Sequence, residues 1–404
     1  MRPYLNPVCG GSTLFPRGLD VGVLRERSTV NSEVCYETRP RWLGLDERLF
    51  ESPKQTGTAN IQILDPLRDN RWDKLVARHP NASVFHQRGW LEASARTYGY
   101  KPLVLTSTAS GLPLENGLVV SRVSSWITGT RLVSLPFADH CEPLLNDPEE
   151  FRMFTEWLRN ECDHSRQRYF ELRPLLEVPV ADYGLKPARS FWFHELDLES
   201  SSEQLFERLH KNSFQRKIRR AERERLCYET GRSQELVDDF YTLLLMTRRR
   251  HQLLPQPKIW FQNLVEGMGD KLEIRLARKN GTPIAAILTL QHGSSVVYKY
   301  GCSNARFHNL GAMPFLFWRL IEESKASGAQ KIDFGRSDLD HEGLVVFKDR
   351  LGTKRRLLTY YRYSNAAERQ EAAPWESHAL RQLFRHLPDA FLSTAGRVFY
   401  KHMG

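Results

Sequence analysis

The sequence has little cysteine and no long apolar run, and each shortage excludes a class of protein. Its six cysteines among 404 residues show no C-x-x-C spacing, whereas small secreted scaffolds are held together by dense cysteine pairs. The longest apolar stretches, such as 285–290, fall far short of the ~18 residues that cross a bilayer. Residues 1–7 lack the continuous apolar core of a secretory signal. We therefore expect a cytoplasmic protein that does not span the membrane.

Acidic residues are in the minority, and the excess of positive charge is the clearest feature of the composition. Lys and Arg number 58 against 48 Asp and Glu, which gives a formal net charge of +10. Hydrophobic residues make up 41% and charged residues 26% of the chain, a globular composition that excludes a fully disordered protein. A positive balance suits nucleic acid, nucleotide phosphates or an acidic membrane face, and does not choose among them.

The periodicity of apolar residues divides the chain into four parts. We predict an irregular extension (1–57), a first α/β unit (58–195), a second, catalytic α/β unit (196–364) and a basic C-terminal segment (365–404). Apolar residues of the last segment stand among Arg, His and Lys, which fits a helix packed on the protein or a contact with a membrane surface. Pro388 and Gly396 are expected to interrupt a helix there.

The two α/β units have the same order of elements. Each has a strand, a turn at glycine, two more strands, a long helix and a closing strand. The spacing from Gly111 to Phe170 in the first unit is close to that from Gly281 to Phe334 in the second. Repeated order at similar spacing is typical of duplication. We therefore predict an α/β (α+β) fold of two tandem mixed β-sheet units flanked by helices.

A loop between a strand and a helix of the second unit has the composition of a phosphate site. The strand ends at Tyr300, and Arg306, Asn309 and Gly311 precede a helix that begins near Met313. The acyltransferase pattern Q/R-x-x-G-x-G/A is matched as R-x-x-N-x-G, with Asn309 in place of the middle glycine. Backbone N–H groups at a helix start bind phosphate or an oxyanion. A loop with one structural glycine is the alternative.

Ionisable residues gather at the end of the last strand of the second unit. The segment D-F-G-R-S runs from Asp333 to Ser337, and Lys348 follows shortly after a turn at Gly343. Sites in α/β proteins tend to lie at strand ends, and a cation such as Lys348 can stabilise a developing oxyanion. The other signatures of a protein kinase do not accompany D-F-G, which excludes that class. A structural pair of Asp333 and Arg336 is the alternative.

One loop of the first unit carries four reactive side chains in a row, Asp139, His140, Cys141 and Glu142. Asp139, His140 or Glu142 fits a general base for an amine nucleophile, and Cys141 fits a nucleophile. A zinc site would join His140 and Cys141 to Cys162 and His164. Adjacent ligands chelate poorly, so we expect no metal.

A strongly basic helix is predicted at 209–226. Its cations are Lys211, Arg216, Lys217, Arg219, Arg220, Arg223 and Arg225. A charge run is usually a solvated face, yet cations clustered within a few turns also bind phosphate. Phe214 is the only aromatic residue among them, which is too few for a base-stacking platform.

The second unit resembles the FemAB-like branch of the GNAT acyltransferase superfamily, in particular its tandem-domain bacterial members. The matching motifs are R-K-I-R-R-A at 216–221, N-G-x-P at 280–283 with A-A at 285–286, Y-x-Y-G at 298–301, N-x-G at 309–311, D-F-G-R-S at 333–337, G-L at 343–344 and F-K at 347–348. The resemblance covers about 61–363. A weaker similarity at 385–388 is to proteins found near exosortase and exopolysaccharide systems.

The resemblance implies two GNAT units packed together and transfer of an acyl or aminoacyl group to an amine. Members that build peptidoglycan bridges take amino acids from charged tRNA and act on a UDP- or lipid-linked muropeptide, and other members are thought to use acyl-CoA. The resemblance places Lys348 beside the reacting carbonyl and the loop 309–312 where GNAT enzymes bind pyrophosphate. It implies no tightly bound cofactor.

We therefore expect an N-acyltransferase that uses a CoA thioester or charged tRNA and an amine of a cell-envelope, peptidoglycan or exopolysaccharide precursor. Lys348 and backbone N–H groups near Tyr300 stabilise the oxyanion, and Asp139 or Asp333 takes the proton. The expected substrate-binding residues are Arg216, Arg219, Arg336, His140 and Glu142, and the expected donor-binding residues are Arg306, Asn309, Gly311 and Ala312.

The alternative class is a catalytically silent GNAT-like module that binds an anionic glycolipid or nucleic acid. Tyr300, Arg336 and Lys348 together favour the enzyme, because a binding module has no need of all three. No helix-turn-helix or finger signature supports a DNA-binding protein. Peripheral contact with the anionic inner face of the membrane fits both classes.

Overall fold

The computed structural model describes residues 61–165, 167–176, 183–364 and 389–403. The extension predicted at 1–57 lies outside the described residues, and so does 365–388 of the basic C-terminal segment.

The described chain alternates strands and helices. The first half contains β1 (Gln62–Leu64), α1 (Asn70–Arg78), α2 (Arg88–Tyr98), β2 (Lys101–Thr106), β3 (Leu118–Ser125), β4 (Gly129–Val133), α3 (Pro148–His164) and β5 (Gln167–Leu172). The second half contains β6 (Lys186–Asp197), α4 (Ser202–Arg208), α5 (Arg216–Arg223), β7 (Cys227–Gly231), α6 (Gln234–Arg250), α7 (Lys258–Met268), β8 (Leu272–Lys279), β9 (Thr282–His292), β10 (Ser295–Ser303), α8 (Ala312–Ala326), β11 (Lys331–Asp338), α9 (Glu342–Asp349) and β12 (Lys354–Tyr363). A C-terminal helix, α10 (Asp389–Met403), follows.

The strands form one mixed sheet in which the two halves repeat each other. The order across the 12-stranded sheet is β1-β2-β3-β4-β5-β12-β6-β11-β10-β9-β8-β7. The pairs β4–β5 and β10–β11 are parallel, and each pair is joined by a long helix, α3 or α8. The repeated order and the α/β class of two mixed-sheet units flanked by helices are confirmed.

The two halves exchange their last strands at the centre of the sheet. β6 follows β5 in the chain but pairs with β11, and β12 follows β11 but pairs with β5. β6 and β12 also pair with each other. β6 crosses the unit boundary at 195/196, which stays a prediction. Because backbone hydrogen bonds join each last strand to the other half, residues from both halves are held on one rigid frame.

Helices from both halves share one hydrophobic core. α1, α2, α6 and α7 contribute buried residues to it, whereas α4, α5 and α8 cover the opposite face of the second half and α3 that of the first. Trp90 of α2 and Trp260 of α7 meet edge to face, with ring centres 5.2 Å apart. Such a pair contributes about 0.5–1.5 kcal/mol beyond the area it buries. The contact of α2 with α7 therefore helps to fix one half against the other.

The contact between α2 and α7 requires glycine on both helices. A Cβ atom added to Gly89 would lie 2.1 Å from the carbonyl oxygen of Gly267. We expect Gly89→Ala to lower the free energy of unfolding by about 1–3 kcal/mol, because backbone would have to move. Gly343→Ala, where no heavy atom lies within 4 Å of the added Cβ, is the control that should lose nothing. Urea unfolding of both variants measures the difference, and equal stabilities would contradict this account.

The basic helix predicted at 209–226 is confirmed over 211–223, and a break at Leu209 and His210 separates it from α4. A π-helical turn, Lys211–Gln215, precedes α5, which ends at Arg223. The Gln215 amide donates to the carbonyl oxygens of Phe206, Glu207 and Leu209 at the end of α4, so a side chain satisfies backbone groups that a continuous helix would pair itself. The break therefore separates α4 from α5.

The C-terminal helix continues where an interruption is predicted. α10 runs through Gly396, and a Cβ atom there would lie 2.1 Å from the carbonyl oxygen of Pro255. The glycine thus allows close packing. The turn predicted at Gly281 is confirmed as a hairpin turn, because Asn280 and Gly281 both have positive φ, 51° and 77°, between β8 and β9. None of the described helices is long and apolar enough to cross a bilayer.

Candidate active site

The site lies where two parallel strands separate. β10 and β11 are paired from Ser295 and Lys331 as far as Val297 and Asp333. Beyond that point β10 stays paired with β9, and β11 stays paired with β6. The separation leaves a gap in the sheet, which we call the strand gap. Side chains from both halves meet there.

A β-bulge points Lys299 toward the strand gap. In the pairing with β9, Tyr298 faces Thr289 and Tyr300 faces Leu288, so Lys299 is the extra residue of the bulge. As a result Tyr298 packs with the core under α8, while Tyr300 packs with the core shared by both halves. Sequence reasoning does not single out Lys299. The signal is a lysine inside the apolar strand V-V-Y-K-Y.

Asp139 is held at the strand gap by residues of the second half. Its Oδ2 accepts a hydrogen bond from Lys299 Nζ at 2.8 Å, and its Oδ1 lies 3.7 Å from Arg336 Nε. Its carbonyl oxygen accepts from the Tyr360 hydroxyl at 2.6 Å. Burial would raise the pKa of Asp139, but Lys299 and Arg336 outweigh it and hold that pKa below its ordinary value. Asp139 is therefore a carboxylate at neutral pH.

A glycine makes room for the Asp139 carboxylate. Gly335 has a φ of +66°, and a Cβ atom there would lie 3.0 Å from Asp139 Oδ2. A side chain at this position would be strained and would also crowd the carboxylate.

His140 and Asp333 form a buried pair beside Asp139. His140 Nε2 lies 3.0 Å from Asp333 Oδ2, and Asp333 Oδ1 accepts the Gly335 N–H at 2.6 Å. The imidazole meets the rings of Phe85 and Phe193 edge to face. Because both oxygens of Asp333 are engaged, this carboxylate orients the imidazole.

Lys348 reaches the same place from the last turn of α9. Its Nζ donates to the carbonyl oxygens of Gly335 at 3.2 Å and of Arg336 at 3.0 Å. The side chain is buried, and burial lowers its pKa to about 8 although Asp139 and Asp333 act in the opposite direction. Lys348 is thus a buried cation that can lose its proton near neutral pH.

Tyr300 and Arg336 lie beside the charged side chains of the strand gap, but Tyr300 is buried and Arg336 is partly exposed. The Tyr300 hydroxyl accepts hydrogen bonds from Gln256 and Trp260, both at 3.0 Å, and burial raises its pKa. Tyr300 is therefore a neutral phenol inside the shared core. Arg336 donates to the Tyr360 hydroxyl at 2.8 Å and is 34% exposed, so solutes can reach it.

The neighbouring side chains Cys141 and Glu142 face the interior. Burial raises the pKa of the Cys141 thiol, which argues against a thiolate nucleophile. Glu142 Oε1 accepts the N–H of Leu176 at 2.9 Å and also that of Leu175, and burial raises the pKa of Glu142 to about 7. Glu142 therefore supports the loop rather than the open side of the strand gap.

The raised pKa of Glu142 makes stability depend on pH. Folding holds its proton more tightly than the unfolded chain does, so the benefit is full below the ordinary pKa of 4.5 and is lost as pH rises through about 7. In the wild type we expect the free energy of unfolding to fall by about 3 kcal/mol between these two pH values because of Glu142. Glu142→Gln keeps an oxygen that accepts both N–H groups but cannot ionise, so it should not show this fall. Urea unfolding of both proteins from pH 4.5 to 8 tests this. A constant difference across that range would contradict it.

A groove opens beside the strand gap at the start of α8, and we call it the donor groove. Its volume is about 680 Å³. Its lining includes Asn212, Ser213, Lys217, Ile284, Ala285, Phe307, His308, Ala312, Met313, Phe347 and Arg350. The lining is largely apolar, with cations at Lys217 and Arg350 and a carboxylate at Glu342. Such a surface suits a chain with an anionic end.

The residues predicted to bind the donor are only partly in the donor groove. Ala312 lines it, and Gly311 lets α8 approach α5, because a Cβ there would lie 2.3 Å from the Lys217 carbonyl oxygen. Arg306 and Asn309 are exposed on a 3₁₀ turn and do not line it. Arg216 and Arg219, which were expected to bind substrate phosphates, are also exposed outside the donor groove. The cations that line the groove are Lys217 and Arg350 instead.

In the part of the chain that the structure describes, no three His, Cys, Asp or Glu side chains are arranged to hold a metal ion.

Sequence and structure comparisons identify the fold. Residues 208–349 match a family model described as "Acetyltransferase (GNAT) domain". The structure of FemX is similar at a TM-score of 0.59 and 14% identity, over 73% of this chain and 95% of FemX. A conserved protein of unknown function from Bacteroides thetaiotaomicron is similar at a TM-score of 0.50 and 16% identity, over 75% of this chain and 99% of that protein. A tandem GNAT protein from the clavulanic acid biosynthesis pathway has a TM-score of 0.48 and 12% identity, over 77% and 100%. A search of curated protein sequences finds no match.

The fold of the chain is similar to that of FemX, as the sequence resemblance implies. The second half of the chain contains a GNAT acetyltransferase domain. The domain spans both strands of the gap and Lys348, whereas Asp139 and His140 enter from the first half. A domain of this description supports acyl transfer as the class of reaction.

Proposed function

We propose that this protein is an N-acyltransferase. The donor lies in the donor groove, and its carbonyl carbon is attacked by an amine at the strand gap. One observation carries the proposal: within and beside the GNAT domain, a cation with a pKa of about 8 and an ionised carboxylate lie at the point where β10 and β11 separate. The donor is a CoA thioester or charged tRNA, and the acceptor an amine of a cell-envelope, peptidoglycan or exopolysaccharide precursor, as the resemblance implies.

The charges at the strand gap suit a reaction in which negative charge develops. Three cations, Lys299, Arg336 and Lys348, face two carboxylates, Asp139 and Asp333. When an amine attacks a carbonyl, the oxygen gains charge, and fixed cations in a buried site stabilise it. Lys348 has three N–H groups and donates two to carbonyl oxygens. The third is assigned to the oxyanion.

The proton of the attacking amine goes to Asp139 in this mechanism. The Asp139 side chain is 15% exposed, whereas that of Asp333 is 5% exposed and both its oxygens are engaged. The N–H bond of the amine breaks as the C–N bond forms, and the proton goes to Asp139. The C–S or C–O bond of the donor then breaks, and the leaving thiolate or alkoxide takes up that proton. Asp333 contributes by orienting His140.

The start of α8 gives the donor groove few backbone donors for phosphate. Ala312 and Met313 have an N–H group there, but Pro314 has none. The charge of the donor phosphates is therefore met mainly by Lys217 and Arg350. Beyond them the apolar lining accepts the uncharged part of the donor.

Binding of the donor tests the proposal. Either acetyl-CoA or aminoacyl-tRNA should raise the melting temperature, since a ligand that binds only the folded state stabilises it. Lys217→Gln and Arg350→Gln should reduce that rise, while Arg306→Gln, which removes an exposed cation outside the donor groove, should not. If neither donor binds, the silent module is the better description. If Arg306→Gln is as harmful as Lys217→Gln, the donor lies elsewhere.

A further inference from the structure

Two arginines on the central strands stack on one aromatic ring beside Asp139. The guanidinium carbon of Arg336, on β11, lies 4.3 Å from the centre of the Phe191 ring, and that of Arg189, on β6, lies 5.2 Å from it. Arg336 also lies 5.2 Å from the centre of the Tyr360 ring. Both planar guanidinium ions are thus placed by contact with the same Phe191 ring.

The charges of these two arginines are only partly balanced by the protein. Arg189 lies 3.8 Å from Asp338, and Arg336 Nε lies 3.7 Å from Asp139. Both distances exceed a hydrogen bond. The two arginine side chains are 58% and 34% exposed. Their N–H groups can therefore reach a solute.

A third arginine nearby, Arg173, has its charge paired with a carboxylate of the protein. Arg173 stacks on the other side of the cluster, 4.9 Å from the centre of the Tyr360 ring. Its Nε donates to Glu171 at 2.9 Å, and it is 11% exposed. Arg173 is thus paired within the fold, whereas Arg189 and Arg336 keep accessible positive charge.

We propose that Arg189 and Arg336 form an anion-binding subsite for the acceptor. The inference rests on the proposed function, and it adds a requirement: the acceptor carries a carboxylate or phosphate a few bonds from its amine. The carboxylate of Asp139 lies next to the Arg336 guanidinium. This pair is complementary to an amine and an oxyanion on one molecule, with the amine at Asp139 and the oxyanion on the two arginines.

The opposite face of the central strands offers a matched control. Arg355, on β12, stacks on Trp192 with its guanidinium carbon 4.7 Å from the ring centre. Side chains alternate along a strand, so Arg355 points away from the face of Arg356 and Phe193, which pair across β12 and β6. Arg355 also donates to Asp349 at 3.1 Å. It has the same type of contact but does not border Asp139.

Protection of arginines from phenylglyoxal, mapped by peptide mass spectrometry, tests the subsite. One arm uses 2-aminoethyl phosphate and the other β-alanine, which carry an amine beside a phosphate or a carboxylate. Either compound should slow modification of Arg189 and Arg336 and leave Arg355 unchanged. The compound that protects at lower concentration identifies the preferred oxyanion. If neither protects the pair, or if Arg355 is protected equally, the proposal is overturned.

A substitution measures how much the pair contributes. Arg189→Gln should raise the concentration that half-protects Arg336 about ten-fold, because one charged hydrogen-bond donor is lost. Arg355→Gln should leave that concentration unchanged, and an equal effect of both substitutions would contradict the subsite. The readout needs no turnover. If the arginines are protected but no acyl transfer occurs, the proposed function is rejected and the anion-binding subsite is kept. If acyl transfer occurs but the arginines are not protected, the subsite is rejected and the proposed function is kept.

Discussion

Lys348→Met should lower kcat about 10²–10³-fold, the cost of removing one preorganised donor from an oxyanion. KM should change little, because the interaction with Lys348 strengthens only as the carbonyl oxygen gains charge. Steady-state kinetics with the donor that binds would measure both constants. A kcat/KM within two-fold of the wild type would remove Lys348 from the mechanism.

Loss of the Lys348 side chain also removes two hydrogen bonds to backbone, so a control is needed. Lys325 donates to the carbonyl oxygen of Leu198 at 2.9 Å and lies away from the strand gap. Lys325→Met loses the same kind of contact and should keep the wild-type kcat. A comparable fall in both variants would point to a structural effect.

The pH profile separates the charge of Lys348 from its shape. The cationic form is the one that stabilises an oxyanion, and it is lost as pH rises through the pKa of about 8. Wild-type kcat should therefore fall above about pH 8. Lys348→Arg stays charged in this range, so its residual activity should show no such fall. If kcat of Lys348→Arg falls above about pH 8 as in the wild type, a group other than Lys348 causes that fall.

Most of the site residues can be found from sequence because they lie in two short segments rich in ionisable side chains. Asp333, Arg336 and Lys348 lie within a short stretch, and Asp139 and His140 lie in one loop after β4. Repeated element order is also visible locally, since apolar periodicity needs only neighbouring residues. The structure brings these five residues together at the strand gap.

Features that depend on partners distant in sequence leave no local signal. The exchange of β6 and β12 depends on pairing between strands far apart in the chain. The bulge at Lys299 is a mismatch between two strands and cannot be read from one of them. The π-helical turn before α5 inserts an extra residue in the turn and rotates every later side chain. Lys217 lines the donor groove, whereas Arg216 and Arg219 lie outside it.

Asp139→Asn should destabilise the protein by about 3–5 kcal/mol, the cost of leaving a buried charge without its partner. Lys299 is 7% exposed and lies near the rings of Phe85 and Trp90, so water cannot replace the lost carboxylate. Lys299→Met should cost less, because Arg336 remains beside Asp139 and is partly exposed. Urea unfolding at pH 7 would measure both changes.

The double variant tests whether the two charges act as a pair. Once Lys299 is replaced by Met, Asp139→Asn no longer leaves a buried cation unpaired, so the double variant should be more stable than the sum of the two losses implies. The expected coupling is about 1–3 kcal/mol. Arg319 and Glu322, 3.4 Å apart and 40% and 37% exposed, form a control pair whose coupling should stay within about 1 kcal/mol. Additive losses at Asp139 and Lys299 would mean that their contact does not hold the first-half loop at the strand gap, and the position of the proton acceptor would then rest on Tyr360 and Arg336 alone.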